Sequence, residues 1–148
     1  MNNPFVEWSN RYSIGVETVD KQHMGLFTLT NELYEACQAE NPALNKHFKD
    51  TLQKAISYAN MHFGTEEKIM TQTQDPNICA HLDEHSAFVK KILEGAATLE
   101  TSPKSTSEDF VRFLRDWILN HVATTDVKIG QHITQLKEQG VLKMDDEF

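Results

Sequence analysis

The chain has 148 residues, 39% of them apolar, with 14 basic and 22 acidic side chains and a formal charge of −8. That length fits one globular domain, and eight Phe and two Trp supply a core that argues against wholesale disorder. Six Gly and four Pro are too few for a turn-dense β-sandwich, the acidic balance argues against nucleic-acid binding, and no apolar run approaches the roughly 18–20 residues of a membrane span.

Four amphipathic segments follow one another. The first runs from about Thr18 to Glu40, with the inward stripe His23, Leu26/Phe27, Thr30, Leu33/Tyr34 and Cys37, and stops before Asn41-Pro42. A second starts after Pro42, and Phe48, Leu52, Ala55/Ile56, Ala59, His62/Phe63, Glu66 and Ile69/Met70 recur every three or four residues. It dissolves in the polar run from Thr71 to Pro76. The third spans roughly Asn77 to Glu100, and Thr101 to Ser107 reads as a loop. The fourth runs from Ser107, as N-cap, to Gln139, with Gly140 as its stop. Long helices joined by short connections imply an all-α, antiparallel up-down-up-down four-helix bundle. Residues 1–17 form an aromatic-rich arm expected to pack on the bundle (18–139), and residues 140–148 read as a frayed tail or the start of a linker.

Cys37 and Cys79 form neither a CxxC pair nor a disulfide framework, and the opening MNNPFVEW lacks a basic segment followed by an apolar run. Both features suit a cytoplasmic protein in a reducing compartment. The histidines carry more information. There are seven, and five fall on helix faces that should be apolar: His23, His62, His81, His85 and His121. Glu66 and Asp126 share those faces. Burying an ionised carboxylate costs several kcal/mol unless it is paired or binds a metal. Four-residue spacing offsets side chains by only about 40°, so His62/Glu66 and His81/His85 can each aim two donors at one point.

Asp126 follows His121 by five residues, which in a regular helix places it about 140° away. The apolar phase resolves the conflict. Phe110, Leu114, Trp117 and His121 share one register, whereas Ile129, Ile133 and Leu136 are shifted by about one residue and agree with Asp126. A π-bulge near Val122–Thr125 would bring both halves onto one face.

Five imidazoles and two carboxylates exceed what one tetrahedral zinc would use, and the nitrogen-rich mixture suits iron better than calcium or magnesium. Two octahedral ions offer about twelve positions, of which the seven side chains and a bridging oxide or hydroxide fill about eleven. One position remains for a small gas. The segments Asp20-Lys-Gln-His23, His62-x-x-x-Glu66, His81-x-x-x-His85 and His121-x-x-x-x-Asp126 resemble those of the hemerythrins, closest to the bacterial branch. The resemblance covers Trp8 to about Gln135 and includes the Tyr12-Ser-Ile-Gly15-Val16 arm. It implies a non-haem pair of iron ions, bridged by oxide or hydroxide, that binds O2 reversibly. It further implies His81, His85 and His121 on one iron, His23 and His62 on the other, and Glu66 and Asp126 as bridges. The O2 pocket would be walled by Leu26, Phe63, Phe88, Trp117, Ile118 and Val122.

His47 and His132 are left as surface residues, and Cys37 and Cys79 as structural ones. Di-iron oxidases use a Glu-rich shell with paired Glu-x-x-His motifs. Glu17, Glu32 and Glu84 fit no such spacing, and Glu67 should point about 100° away from Glu66. An O2 carrier or sensor is therefore expected rather than an enzyme. The alternatives are a sensory domain of a larger signalling protein, or a weak redox enzyme acting on peroxide or nitric oxide. A signalling or O2-accepting protein partner is compatible with this reading, and neither nucleic acid nor membrane insertion is.

Overall fold

The computed structural model describes residues 4–39, 42, 45–99 and 104–148. Helix α1 spans Glu17–Ala36, α2 Lys46–Gln72, α3 Ile78–Thr98, α4 Lys104–His121 and α5 Val127–Glu138. A π-helical segment, Val122–Asp126, joins α4 to α5 without a break. No strand occurs among the described residues. His23, early in α1, lies against Glu66, late in α2. His81, at the start of α3, lies against Asp126, beyond the end of α4. Neighbouring helices therefore run in opposite directions, as a four-helix bundle in which α4, the π segment and α5 act as one long helix.

The helix ends follow local chemistry. The Asn45 side chain accepts from the N–H groups of His47 and Phe48, capping α2. Gly140 adopts φ 75° after α5, the left-handed geometry that glycine favours past a helix C-terminus. Two expected boundaries are corrected. Helix α1 stops at Ala36 rather than near Glu40, because the N–H groups of Gln38 and Ala39 turn to the carbonyls of Glu35 and Ala36 in tight i→i−3 bonds. Glu40 itself lies outside the described residues. Helix α4 begins at Lys104, so Ser107 is no cap. It is fully buried one turn inside, and heads a stripe continued by Val111, Leu114 and Ile118. Residues 101–103 of the expected loop lie outside the described set.

The arm packs as expected. Phe5 stacks on Tyr34 at 4.1 Å, and Trp8 and Tyr12 meet the Phe27 ring edge-on at 5.4 and 5.2 Å. The Val6 backbone and the Asn31 side chain exchange two hydrogen bonds. Asp20 accepts from the Ile14 N–H and the Ser13 hydroxyl, fixing the turn into α1. The last residues are not frayed. Leu142 and Phe148 pack against the core, and the carbonyl of Asp146 accepts from the Lys137 ammonium.

Two apolar clusters fill the bundle. The larger includes Leu26, Phe27, Leu33, Phe48, Phe63, Phe88, Ile92, Leu114 and Ile118. The smaller, made by Ile14, Val16, Val19, Ile69, Met70, Ile129 and Ile133, closes the other end, where Leu142 and Phe148 of the tail pack. On α1, His23 falls between Val19 of the small cluster and Leu26 of the large one, and Glu66 has the same position on α2. The polar residues thus form a layer between two dry cores.

Gly130 lets the arm sit down on α5. A Cβ there would stand 1.8 Å from the Ile14 carbonyl oxygen. The substitution Gly130→Ala is expected to cost about 1–3 kcal/mol by overpacking. It should lower the thermal midpoint and make the arm cleave earlier in limited proteolysis.

Candidate metal centre

Each donor reaches the polar layer because its helix turns it there. His62 and Glu66 on α2, and His81 and His85 on α3, project one turn apart from single faces. The π segment does for α4 what the shift of register requires: its extra residue brings Asp126, fully buried, onto the face that carries His121. All seven side chains are buried, with His23, Glu66 and Asp126 at 0% exposure.

The ring nitrogens converge on the two carboxylates. His23 Nε2 stands 2.9 Å from Asp126 Oδ2 and 3.7 Å from Glu66 Oε2. His62 Nε2 and His85 Nε2 lie 3.3 and 3.2 Å from Glu66 Oε1. Asp126 Oδ1 is 3.0 Å from His81 Nε2 and 2.9 Å from His121 Nε2. These donors form two overlapping groups, one of Glu66, His81, His85, His121 and Asp126, the other of His23, His62, Glu66 and Asp126. Only Glu66 and Asp126 belong to both.

Proximity here is not hydrogen bonding. Both oxygens of Glu66, both of Asp126, and Nε2 of His23 and His81 are buried without a hydrogen-bond partner. Polar atoms in that state cost a full desolvation penalty in a dry core. Cations coordinated by these lone pairs would remove the penalty. The donor set, its burial and its unmet valences fit a pair of metal ions.

Sequence reasoning missed the residues that hold the imidazoles from behind. Gln22 Oε1 lies 2.8 Å from His62 Nδ1, while its amide nitrogen donates to Thr65. Glu67 reaches His85 Nδ1 at 3.3 Å. Glu84 reaches His121 Nδ1 at 3.2 Å and accepts from the hydroxyl of Thr125, inside the π segment. Such contacts leave Nε2 as the metal-facing atom and raise its basicity. Glu67 does point away from Glu66, and that is how it crosses to the neighbouring helix. The detectable signal was a glutamate beside a core-facing donor, since a buried histidine has a second nitrogen to satisfy. His47 is exposed as expected. His132 is corrected: it is half-buried, and its Nε2 lies 2.8 Å from the Thr73 carbonyl oxygen, binding α5 to the α2–α3 turn. Cys37 is buried, but Cys79 is exposed, so packing does not explain it.

The six wall residues predicted for a pocket all line one internal cavity of about 30 Å³, which runs from His62, His121 and Asp126 into the large core. Its remaining walls are almost entirely aliphatic or aromatic. The one hydroxyl among its lining residues, on Thr30, donates to the Leu26 carbonyl at 2.7 Å.

An antiparallel four-helix bundle with a buried histidine–carboxylate centre defines a class of metal-binding protein. A family model described as the hemerythrin HHE cation binding domain matches residues 14–133, and the chain belongs to that family. It is 27% identical over 122 residues to a myohemerythrin from Theromyzon tessulatum, covering 82% of this chain and 88% of the relative. It is also 27% identical over 119 residues to a bacteriohemerythrin from Methylococcus capsulatus, covering 80% and 88%. A solved wild-type hemerythrin structure superposes with a TM-score of 0.79 at 25% identity, covering 88% of this chain and 98% of that one. No helix among the described residues is long and apolar enough to cross a membrane.

Without metal, the layer balances its charges by protonation. Burial disfavours the imidazolium forms of His23 and His81, but the Asp126 and Glu66 carboxylates outweigh it and hold both pKa values up at about 9. Burial likewise works against the Glu66 and Asp126 anions, and the surrounding histidines overcome it, leaving both carboxyls below their ordinary range. The histidine contribution to stability is complete below the ordinary pKa of 6.5 and is lost as pH rises through about 9. The carboxylate contribution is present above their ordinary range and is lost on acidification. Metal-stripped protein should therefore melt at a falling temperature from pH 6.5 to 9. Metal needs neutral imidazole, so the gap between loaded and stripped protein should widen over the same interval in calorimetry.

Substituting Glu84→Gln removes the anion behind His121 while keeping its shape. Metal affinity is expected to fall by about 10–100-fold, measured by competition with a chromogenic chelator. Deleting Ala123 removes the inserted residue and leaves His121 and the aspartate four residues apart on one face of a regular helix. Stoichiometric metal uptake should therefore persist, whereas Asp126→Ala should abolish it while helical circular dichroism is unchanged.

Proposed function

We propose that this protein binds O2 reversibly at a pair of iron ions, for storage, transport or sensing, and acts as a carrier or sensor rather than as an enzyme. His81, His85 and His121 would hold one iron and His23 and His62 the other, with Glu66 and Asp126 available to both. The observation that carries this assignment is that the two donor groups overlap only at Glu66 and Asp126. When bound, the iron pair supplies the electrons and the open coordination position for O2.

The chain's own residues make the binding reversible by what they withhold. Leu26, Phe63, Phe88, Trp117, Ile118 and Val122 surround the cavity beside the donors with carbon surface. Water entering such a space finds no partners to replace its lost hydrogen bonds. Thr30 has its proton committed to the Leu26 carbonyl, so no free hydroxyl or carboxylic acid among the described lining residues stands ready to protonate a bound ligand. A positioned acid of that kind is one way an enzyme would drive bound oxygen on to products. The outer glutamates, at 38% and 42% side-chain exposure, stand behind histidine rings and away from the cavity.

Anaerobic reduction followed by air, with iron content and visible absorption recorded, tests the proposal. A band that appears and disappears with O2 at two irons per chain is the expected result. No iron, or a single zinc per chain, would overturn it. Substituting Leu26→Ser, which places a hydroxyl in the wall, should speed autoxidation, read as faster decay of the oxygenated spectrum.

A further inference from the structure

Gly64 is the glycine for which the fold gives no steric or backbone reason. Gly15 and Gly140 adopt positive φ, and a Cβ at Gly25, Gly95 or Gly130 would strike Tyr58, Phe110 or Ile14. At Gly64, in the interior of α2, a Cβ would meet nothing within 4 Å. Glycine there destabilises the helix relative to alanine and gains no contact in return. The position is exposed and lines a surface groove between α2 and α3, together with Phe63, Glu67, His85 and Val89.

Phe63 is the partition between outside and inside. It lines both this groove and the apolar cavity. Its ring is stacked on His85 at 3.8 Å and 12°, and meets Phe88 and Trp117 edge-on at 5.9 and 6.1 Å. One ring thus separates solvent from the space beside the donors. A second groove on the same seam shares Leu52 and Ile56 with the cavity. Those residues stand about 15 and 9 Å before His62 along the helix, so a ligand entering there would meet the cavity lining far from the donors.

Resting on the oxygen-binding reading, we propose that O2 enters from the α2–α3 groove past the Phe63 ring, and that Gly64 keeps the groove clear of a side chain at the point of entry. The groove carries a polar rim of Asn60, Ser86 and Lys90. The partition behind it is aromatic carbon. A hydrated ion would have to shed its water to pass, whereas a small neutral gas needs only a brief displacement of the ring.

The test uses the full iron-loaded chain. O2 association and dissociation rates are measured by stopped flow for the unaltered protein, Gly64→Ala, Gly64→Phe and Ser57→Phe. The last fills the second groove. An obstructed entry slows both directions alike, so Gly64→Phe should lower both rates severalfold and leave the equilibrium affinity unchanged. Gly64→Ala should lower both rates by less than Gly64→Phe does, because a methyl group narrows the groove without spanning it. Gly64→Leu serves if the phenylalanine variant misfolds. Unchanged rates in the bulky variants, altered affinity, or slowing confined to Ser57→Phe would overturn the route. Xenon-pressurised crystals give a readout independent of O2 chemistry. Xenon should occupy the groove beside Gly64 and the cavity, and be lost from the groove in Gly64→Phe. Absence of xenon from the groove of the unaltered protein would also overturn the route. Protein that takes up iron but does not bind O2 would overturn the functional reading, with the xenon result still judging the path.

Discussion

Two carboxylates with no exposure to solvent govern this molecule. Glu66 and Asp126 are carried on different helices, lie between two apolar cores and have all four oxygens without a hydrogen-bond donor. A buried charge in that condition costs several kcal/mol, against a total stability of about 5–15 kcal/mol for a domain. Five imidazoles arranged around them are the compensation, with positive charge on His23 and His81 in the ion-free protein and all five as co-ligands when metal is bound. The need to bring these groups together explains why a π segment, a rare feature, joins α4 to α5. It also explains why the bundle is built as two dry clusters with a polar layer between them.

The fold and the inward donors were legible because periodicity reports which face of a helix is buried. The π segment was legible for the same reason. The apolar phase before His121 and the phase from Ile129 onward disagree by one residue, and the insertion reconciles them at Val122–Asp126. The outer partners were not legible, since Gln22, Glu67 and Glu84 act across helix pairs. Their roles depend on side-chain reach between elements rather than on spacing within one. Helix ends were the other weak point. Ser107 has the composition of a cap, but a small hydroxyl also fits a tight inward position, and the fully buried site in α4 uses it that way. The tail was misjudged because acidic residues dominate it, whereas Phe148 and the Asp146 carbonyl are what dock it.

The outer partners also change the electrostatic picture. Counting inward groups alone, two carboxylates and an oxygen bridge would offset the positive charge of two iron ions. Glu67 and Glu84 add two anions one imidazole away, behind His85 and His121. A neutral amide from Gln22 stands behind His62, and Nδ1 of His23 is buried without any partner. Two of the three histidines of one donor group, His85 and His121, are thus backed by negative charge, and neither histidine of the other is. Carboxylate-backed imidazoles are stronger donors, so the two metal positions are electronically unequal before any ligand arrives. Part of the chain's −8 charge is therefore placed to serve the centre, in addition to keeping the surface solvated.

The cavity extends from the polar layer in one direction only. Its lining residues follow His23 on α1 and His85 on α3, and on α2 and α4 they mostly precede His62 and His121, which places it on the side of the large cluster. On the other side, Val19, Ile69, Met70, Ile129 and Ile133 close the layer together with Ile14 and Val16, and Leu142 and Phe148 of the tail pack against them. The π segment leads from Val122, in the cavity wall, to Asp126 in the layer, and Glu84 clasps it from α3 through the Thr125 hydroxyl. A rigid donor set is needed to hold two cations at fixed separation, and a soft, dry wall is needed to admit a small neutral ligand without water. These demands conflict within one packed core, because dense packing that fixes side chains also excludes guests. The fold meets both by setting the donor layer beside the cavity, with His62, His121 and Asp126 common to the donor set and the cavity wall.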